Sequence, residues 1–179
     1  MIDKDNKINV IVTEDNKGIL EFDDYNIKTN AYIGKNGITT QKREGDGKTP
    51  LGEFELGIIL GTHDKLEITS NKNFKYNKIT KNMYWIDDSN SKYYNQLVDI
   101  TKVEKDWKSA EHLIDYPIQY EYLVEIKTNP SNMPKKGSAI FLHCIKNTST
   151  EGCIAIDRES MKEIIVNINE DTKINIRKK

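Results

Sequence analysis

The sequence is 179 residues long, and 27 basic against 28 acidic side chains leave a formal charge of −1 although 31% of positions are charged. At roughly 150 residues per domain, that length predicts one domain over 1–179, large enough to bury a core, and the balanced charge argues against a nucleic-acid or anionic-membrane binder working through a bulk basic field. The densest apolar stretches, LGIIL at 56–60 and SAIFLHC at 138–144, fall far short of the roughly 18 residues that cross a bilayer, so no integral membrane segment is expected.

The N-terminal MIDKDNKINV has no basic n-region, apolar h-region or small-residue cleavage site, which predicts either a cytoplasmic protein or a mature piece restarted at Met1. Ile8, Val10 and Val12 alternate with Asn9 and Thr13, and after the turn residues Asp15 to Gly18 comes ILEF, the pattern of a hairpin. YNIKTNAYIG reads as a third strand. Gly34, Gly37, Gly45, Gly47 and Gly52 with Pro50 mark a loop over 34–52, and FELGIIL resumes a strand. Val103, Trp107, Ala110 and Ile114 recur at i, i+4, i+7 and i+11 before Pro117, predicting a helix over 103–115. Tyr94, Leu97, Val98 and Thr101 predict a shorter one, the pair forming a helical insertion in a β-rich chain.

Tyr120, Tyr122, Val124 and Ile126 read as one face of a half-buried strand, and SAIFLHC as a central strand covered on both faces and closed by His143. CIAI follows a polar connection. Asp157 is placed to cap a helix carrying Met161, Ile164, Ile165 and Ile168, and Thr172, Ile174 and Ile176 make a last strand. The sum is a mostly β protein, a β-sandwich of largely antiparallel strands with a few short helices.

The most informative stretch is FLHCIKNTSTEGCIAID at 141–157, where His143 ends one buried strand and Cys153 starts the next, ten residues on. One loop brings imidazole and thiol to the same place. A free thiol with pKa near 8.5 is mostly protonated at pH 7, and an imidazole that accepts its proton makes the better nucleophile. Gly152 can take positive φ and bare backbone N–H groups for an oxyanion. Against this stands the ordinary fate of a cysteine on an apolar strand, which is packing. Two cysteines are too few for a disulfide framework, and neither CxxC spacing nor a fourth ligand supports a metal site at His143, Cys144 and Cys153.

A strand ending in His followed by [ST]-x-Gly-Cys-hydrophobic resembles the signature of the L,D-transpeptidase catalytic domain (YkuD-like), the peptidoglycan cross-linking cysteine enzymes. KREGDGKTPLGEF at 42–54 is similar to the family's Arg-x-Gly-Asp-x-x-Thr-Pro-x-Gly-x-Phe segment, and WIDDSNSKYYNQLV, SAEHL and GSAIFLHC to segments of one bacterial branch. The resemblance runs from about residue 10 to 168. It implies an L,D-transpeptidase-like fold, Cys153 as nucleophile, His143 as base and later acid, N–H groups of Gly152 and Cys153 for the oxyanion, and the Cys144 carbonyl as the partner of His143. It also implies no cofactor, stem peptides as partners, and a site of action in the cell wall, outside the cytoplasm, the targeting segment being trimmed. A monomer is expected.

The chain departs from the family pattern at Glu151, where a second histidine is common, and at Ala155, where an arginine often stands. A carboxylate beside the sulfur would oppose thiolate formation, so the Gly152 turn is expected to set Glu151 towards the cleft mouth or solvent, there either meeting a cationic substrate group or simply solvated. Thr150 belongs to the same substrate-facing loop. Arg43 is expected to orient a carboxylate or a loop, and Glu111, near Trp107 on a helical wheel, to reach inward as partner of a cation. His112 is expected at the surface, Asp87 and Asp88 in a turn, and Trp85 and Trp107 in the core. A phosphate loop at Gly45 to Thr49 fails the GxxxxGK[ST] spacing. A carboxypeptidase using the same residues, or a silent wall-binding module, remain as alternatives.

Overall fold

Alternation builds the first strands. In β1 (Lys7–Glu14) Ile8, Val10 and Val12 are buried and the residues between them are not, as a strand with one face on a core requires. Asp15, with φ of 34°, turns the chain into β2 (Lys17–Phe22), which runs antiparallel with Leu20 opposite Val10. A 3-10 turn ends at Asn26, in the left-handed region, and leads to β3 (Ile27–Tyr32). In the glycine-rich loop, β4 (Ile38–Thr39) and β5 (Thr49–Pro50) pair in parallel. There follow β6 (Gly52–Gly61), β7 (Tyr76–Lys78), β8 (Met83–Ile86), β9 (Leu97–Asp99), β10 (Ala110–His112), β11 (Tyr122–Ile126), β12 (Phe141–Cys144), β13 (Ile154–Ile156), helix α1 (Arg158–Asn167) and β14 (Lys173–Lys178). The computed structural model describes residues 5–66 and 75–179; the first four residues of the stretch read for an export signal lie outside them.

Nine strands form one sheet in the order β11-β12-β13-β3-β2-β1-β14-β6-β7, and β11 pairs with β6 as well. The ten-residue β6 makes this possible, because its first half pairs with β14 and its second half with β11. The sheet therefore closes on itself. The fold is mostly β, with antiparallel pairs in the majority and parallel ones at β1–β14, β12–β13 and β6–β7, and the two faces expected of a sandwich are joined into a barrel-like whole. Asp157 caps α1 by accepting from the Ser160 N–H, and Met161, Ile164 and Ile165 of the helix enter the main core. A second core of Leu60, Trp85, Leu113, Tyr120, Leu123 and Phe141 lies on the opposite face of β6, β11 and β12. The separate three-stranded sheet β10-β8-β9 covers it.

That sheet corrects the expected helical insertion. Residues 103–115 contain β10 and a 3-10 turn, and 94–101 contain β9. Val103, Trp107 and Ala110 do share one small cluster with Ile86 and Val98, but Ile114, the fourth member of the proposed stripe, is exposed. Antiparallel pairing of Ala110 with Ile86 and Glu111 with Trp85 outcompetes a helix whose intrinsic preference is worth only tenths of a kcal/mol per residue. Asn95 at φ 58° and the Asp99 carboxylate holding Thr101 break the shorter helix. Tyr120 also departs from its expected face: its N–H bonds the Tyr116 carbonyl in a turn before β11, and its ring joins the second core while Tyr122 enters the main one. Of SAIFLHC only the last four residues are strand, because Gly137 and Ala139 take positive φ.

Candidate active site

Strand phase sorts the chemistry. Along β12, Leu142 and Cys144 point into the main core, so Phe141 and His143 face the other way. Parallel pairing of β12 with β13 sets His143 beside Ala155. Two residues back on the same face stands Cys153, a diagonal neighbour of His143 at about 8 Å between Cα atoms by strand geometry. Both side chains line one cleft of about 350 Å³, together with Tyr120, Gln119, Glu111 and Ala155.

His143 is 7% exposed, and its Nδ1 lies 2.8 Å from the Cys144 carbonyl, which assigns the hydrogen to Nδ1 and leaves the Nε2 lone pair free. Burial pushes the imidazole down to about 4 against the pull of that carbonyl. Tyr120 sets its ring edge-on to His143 at 5.6 Å. The Cys153 thiol donates to the Ala139 carbonyl at 3.2 Å and accepts from the Phe141 N–H at 3.3 Å. Burial pushes it up to about 12; Glu111 adds to the rise, while the Phe141 N–H and Lys42 oppose it. Thiol and imidazole are thus both neutral at pH 7, with no hydrogen bond between them in this state. Cys144, buried against the Tyr122 carbonyl, faces away from the cleft.

The loop that presents Cys153 is clamped from both sides. Gly152 sits at φ 144°, where a Cβ would stand 2.9 Å from the Lys48 carbonyl oxygen. Its carbonyl accepts from Thr49 Oγ1 at 2.8 Å, and the same Thr49 oxygen accepts from the Gly34 N–H. Thr150 Oγ1 accepts from the Gly152 N–H at 3.0 Å and donates to the Cys153 carbonyl at 2.6 Å. The Gly152 N–H is therefore engaged, a correction to the expected pair of oxyanion donors. Among the described residues the Cys153 N–H has no backbone partner.

Glu151 is exposed and pairs with Lys35 at 2.8 Å, at the rim of the cleft. Arg43 is exposed, its backbone N–H on the Asp46 carboxylate, and borders a separate groove with Phe54 and Met133. A cation that does line the site is its neighbour Lys42, nine-tenths buried, paired with Asp46, and 3.2 Å from where a Gly152 Cβ would stand, while Lys146 borders the His143 cleft. A one-residue shift within KREGDG separates Lys42 from Arg43, and no period in a loop reveals it. His63 pairs with Glu121, and His112 stacks on Tyr84, partly covered rather than fully at the surface. Asp88 serves its turn by accepting from Asn90 and Lys108 N–H groups, and Trp85 and Trp107 are buried.

Glu111 does reach inward, from β10 and not from a helix: Tyr120 donates to its Oε1 at 2.8 Å, and Oε2 is buried without a partner. Glu111 lines the His143 cleft and also a second cleft of about 310 Å³ that meets it at Cys153, walled by Lys42, Glu44, Asp87 and Ala139. Glu44 and Asp87 are acidic groups of the site that patterning alone missed. Among the described residues no cluster of three or more His, Cys, Asp or Glu is arranged to hold a metal, and no helix is long and apolar enough to cross a membrane.

A comparison with curated proteins gives no match. Among solved structures the chain is similar to the crystal structure of Mycobacterium tuberculosis L,D-transpeptidase 1, at 10% identity and a TM-score of 0.38, covering 96% of this chain and 62% of that one. The chain thus spans less than two thirds of that relative's length. The L,D-transpeptidase catalytic domain (YkuD) matches residues 1–176. With nearly every residue inside that match, the chain belongs to the YkuD family of L,D-transpeptidase catalytic domains.

Proposed function

We propose that this chain is a peptidoglycan L,D-transpeptidase working through a Cys153 acyl-enzyme. The observation that carries the reading is the His143 ring held by the Cys144 carbonyl with Nε2 free in the cleft that also contains Cys153. Because burial keeps both groups neutral, the thiol is activated only as it attacks: Sγ turns from the Ala139 carbonyl to the scissile carbonyl of a stem tetrapeptide, and Nε2 takes its proton in the same step. The oxyanion meets the Cys153 N–H, with the Lys42 ammonium close by. The imidazolium then protonates the leaving terminal D-amino acid, and a thioester remains. Passing the acyl group to an amine on a neighbouring stem completes the cross-link; passing it to water would make the chain an L,D-carboxypeptidase. Thr150 holds the loop and Glu151 borders the approach to it, while Arg43 lines the separate groove beside Phe54.

The chemistry uses no cofactor, and its partners are stem peptides in the wall, which puts the working protein outside the cytoplasm as a monomeric catalytic domain. Intact-mass measurement after exposure to a tetrapeptide stem or a carbapenem tests this. One adduct on Cys153 is expected in wild type and in Cys144→Ser, none in Cys153→Ala, and acylation slower by roughly two to four orders of magnitude in His143→Gln. An adduct that survives Cys153→Ala overturns the assignment, and a folded wild type that never acylates favours the silent wall-binding module.

A further inference from the structure

We propose that Glu111, backed by Asp87, is the subsite for the acyl acceptor: it binds the ammonium group of the incoming amine and takes the proton that must leave before that amine can attack. The inference rests on the acyl-enzyme reading above and adds what selects the second substrate.

Two carboxylate oxygens beside the nucleophile, Glu111 Oε2 and Asp87 Oδ1, are buried and accept no hydrogen bond. Such an atom costs about 1–3 kcal/mol relative to a satisfied one, so their persistence together in the wall of one cleft points to a donor supplied from outside. Neighbouring Glu44 shows the contrast, since Tyr94 and Ser138 already donate to its Oε1. The second cleft is lined by Glu111, Asp87, Glu44 and Glu151 against Lys42 alone, and Lys42 is held by Asp46. That charge balance favours an ammonium over a carboxylate.

Glu111 and Glu151 both stand in the walls of the two clefts that meet at Cys153, but Glu151 is exposed and paired with Lys35, whereas Glu111 is buried with Oε2 free. An amine resting on it from one side faces a thioester formed from the other. The groups around its carboxyl are Tyr120, which donates to Oε1, Tyr116, Asp87, Glu44 and the Cys153 thiol. Burial, then Asp87 and Glu44, raise Glu111 to about 7 against the Tyr120 hydrogen bond, which suits a group that trades a proton at neutral pH.

The step balances as follows. The ammonium gives one proton to Oε2, and the freed lone pair attacks the thioester carbon. The C–N bond forms and the C–S bond breaks. A second nitrogen proton passes through His143 Nε2 to the sulfur, restoring the thiol, and Glu111 releases its proton to solvent.

The test forms the acyl-enzyme from a tetrapeptide stem and offers Nα-acetyl-lysine amide as the amine at pH 7, reading the ratio of amide to hydrolysed product by mass spectrometry. Because the ratio is read only on enzyme that has acylated, it is independent of the acylation rate. Glu111→Gln is expected to lower it tenfold or more, with partial rescue in Glu111→Asp; a ratio within threefold of wild type overturns the inference. Should Glu111→Gln fold poorly, Asp87→Asn decides, with a rise of threefold or more in the acceptor's KM expected and an unchanged KM overturning the subsite. Absence of any Cys153 adduct in wild type overturns the acyl-enzyme reading and this inference with it, whereas an adduct with an unaltered ratio overturns this inference alone.

Discussion

Burial moves Glu111 up to about 7 and His143 down to about 4, so the two groups beside Cys153 pull stability in opposite directions across the same acid range. Between the ordinary glutamate value and 7, folded Glu111 keeps a proton that the unfolded chain has released, and its contribution to stability is lost as pH rises through that window. Between 4 and 6.5 the unfolded chain binds a proton that folded His143 refuses, and stability is lost as pH falls. Each effect amounts to about 3 kcal/mol at most, and in wild type they nearly cancel. Glu111→Gln removes one of them. Urea unfolding at steps from pH 4.5 to 7 should show the variant gaining up to about 3 kcal/mol relative to wild type as pH rises; parallel profiles would show that Glu111 is not held protonated by its surroundings. At this scale the meeting of His143 and Cys153 in one cleft was legible in one motif, whereas the Cys144 carbonyl as partner of His143 came only through the family resemblance. Glu111 was reached by an argument from a helical wheel that the structure replaces with strand pairing, while Lys42 and Asp87 acquire their places only through packing.

The Cys153 loop and the glycine-rich loop are one structural element although 103 residues separate Thr49 from Gly152. Thr49 ties them, accepting from Gly34 and donating to Gly152 at a position of zero exposure. Thr49→Val keeps the shape and strands both backbone groups, which predicts a loss of roughly 2–4 kcal/mol in denaturant unfolding. Acylation of Cys153 should slow as well, since the Gly152 turn loses its anchor. A variant as stable and as fast as wild type would show the link to be incidental. KREGDGKTPLGEF thus carries, at Thr49, the clamp on Gly152. Strands with clean alternation, such as β1 and β14, were readable because period two is a local property. The segments at 94–101 and 103–115 were not, because a few apolar residues at helical spacing are equally served by an extended chain with a partner, and β8 is that partner.

For the whole molecule, closure through the double pairing of β6 and β11 puts two cores back to back on shared strands. Leu142 lies in the main core, Phe141 in the second, one residue apart on β12. Loss of either core therefore costs the other its wall, and 1–179 should unfold as one cooperative unit. Tryptophan fluorescence, reporting on Trp85 and Trp107, and far-ultraviolet circular dichroism, reporting on the large sheet, should give coincident transitions. Leu142→Ala should shift both together by about 2–5 kcal/mol, and separated transitions would reveal two independent units. By itself the sequence determined the β class, the hairpin, the capped helix, the absence of a long apolar span and the placement of His143 and Cys153 at the two ends of one loop, since these follow from spacing along a few residues. Only the tertiary structure decided that the sheet closes, that the insertion is a sheet, which of Lys42 and Arg43 faces the site, and that Glu111 and Asp87 each keep one buried oxygen without a partner in the cleft that holds the thiol. These are outcomes of long-range pairing and burial, in which residues far apart in the chain compete for the same space, and no local period records who wins.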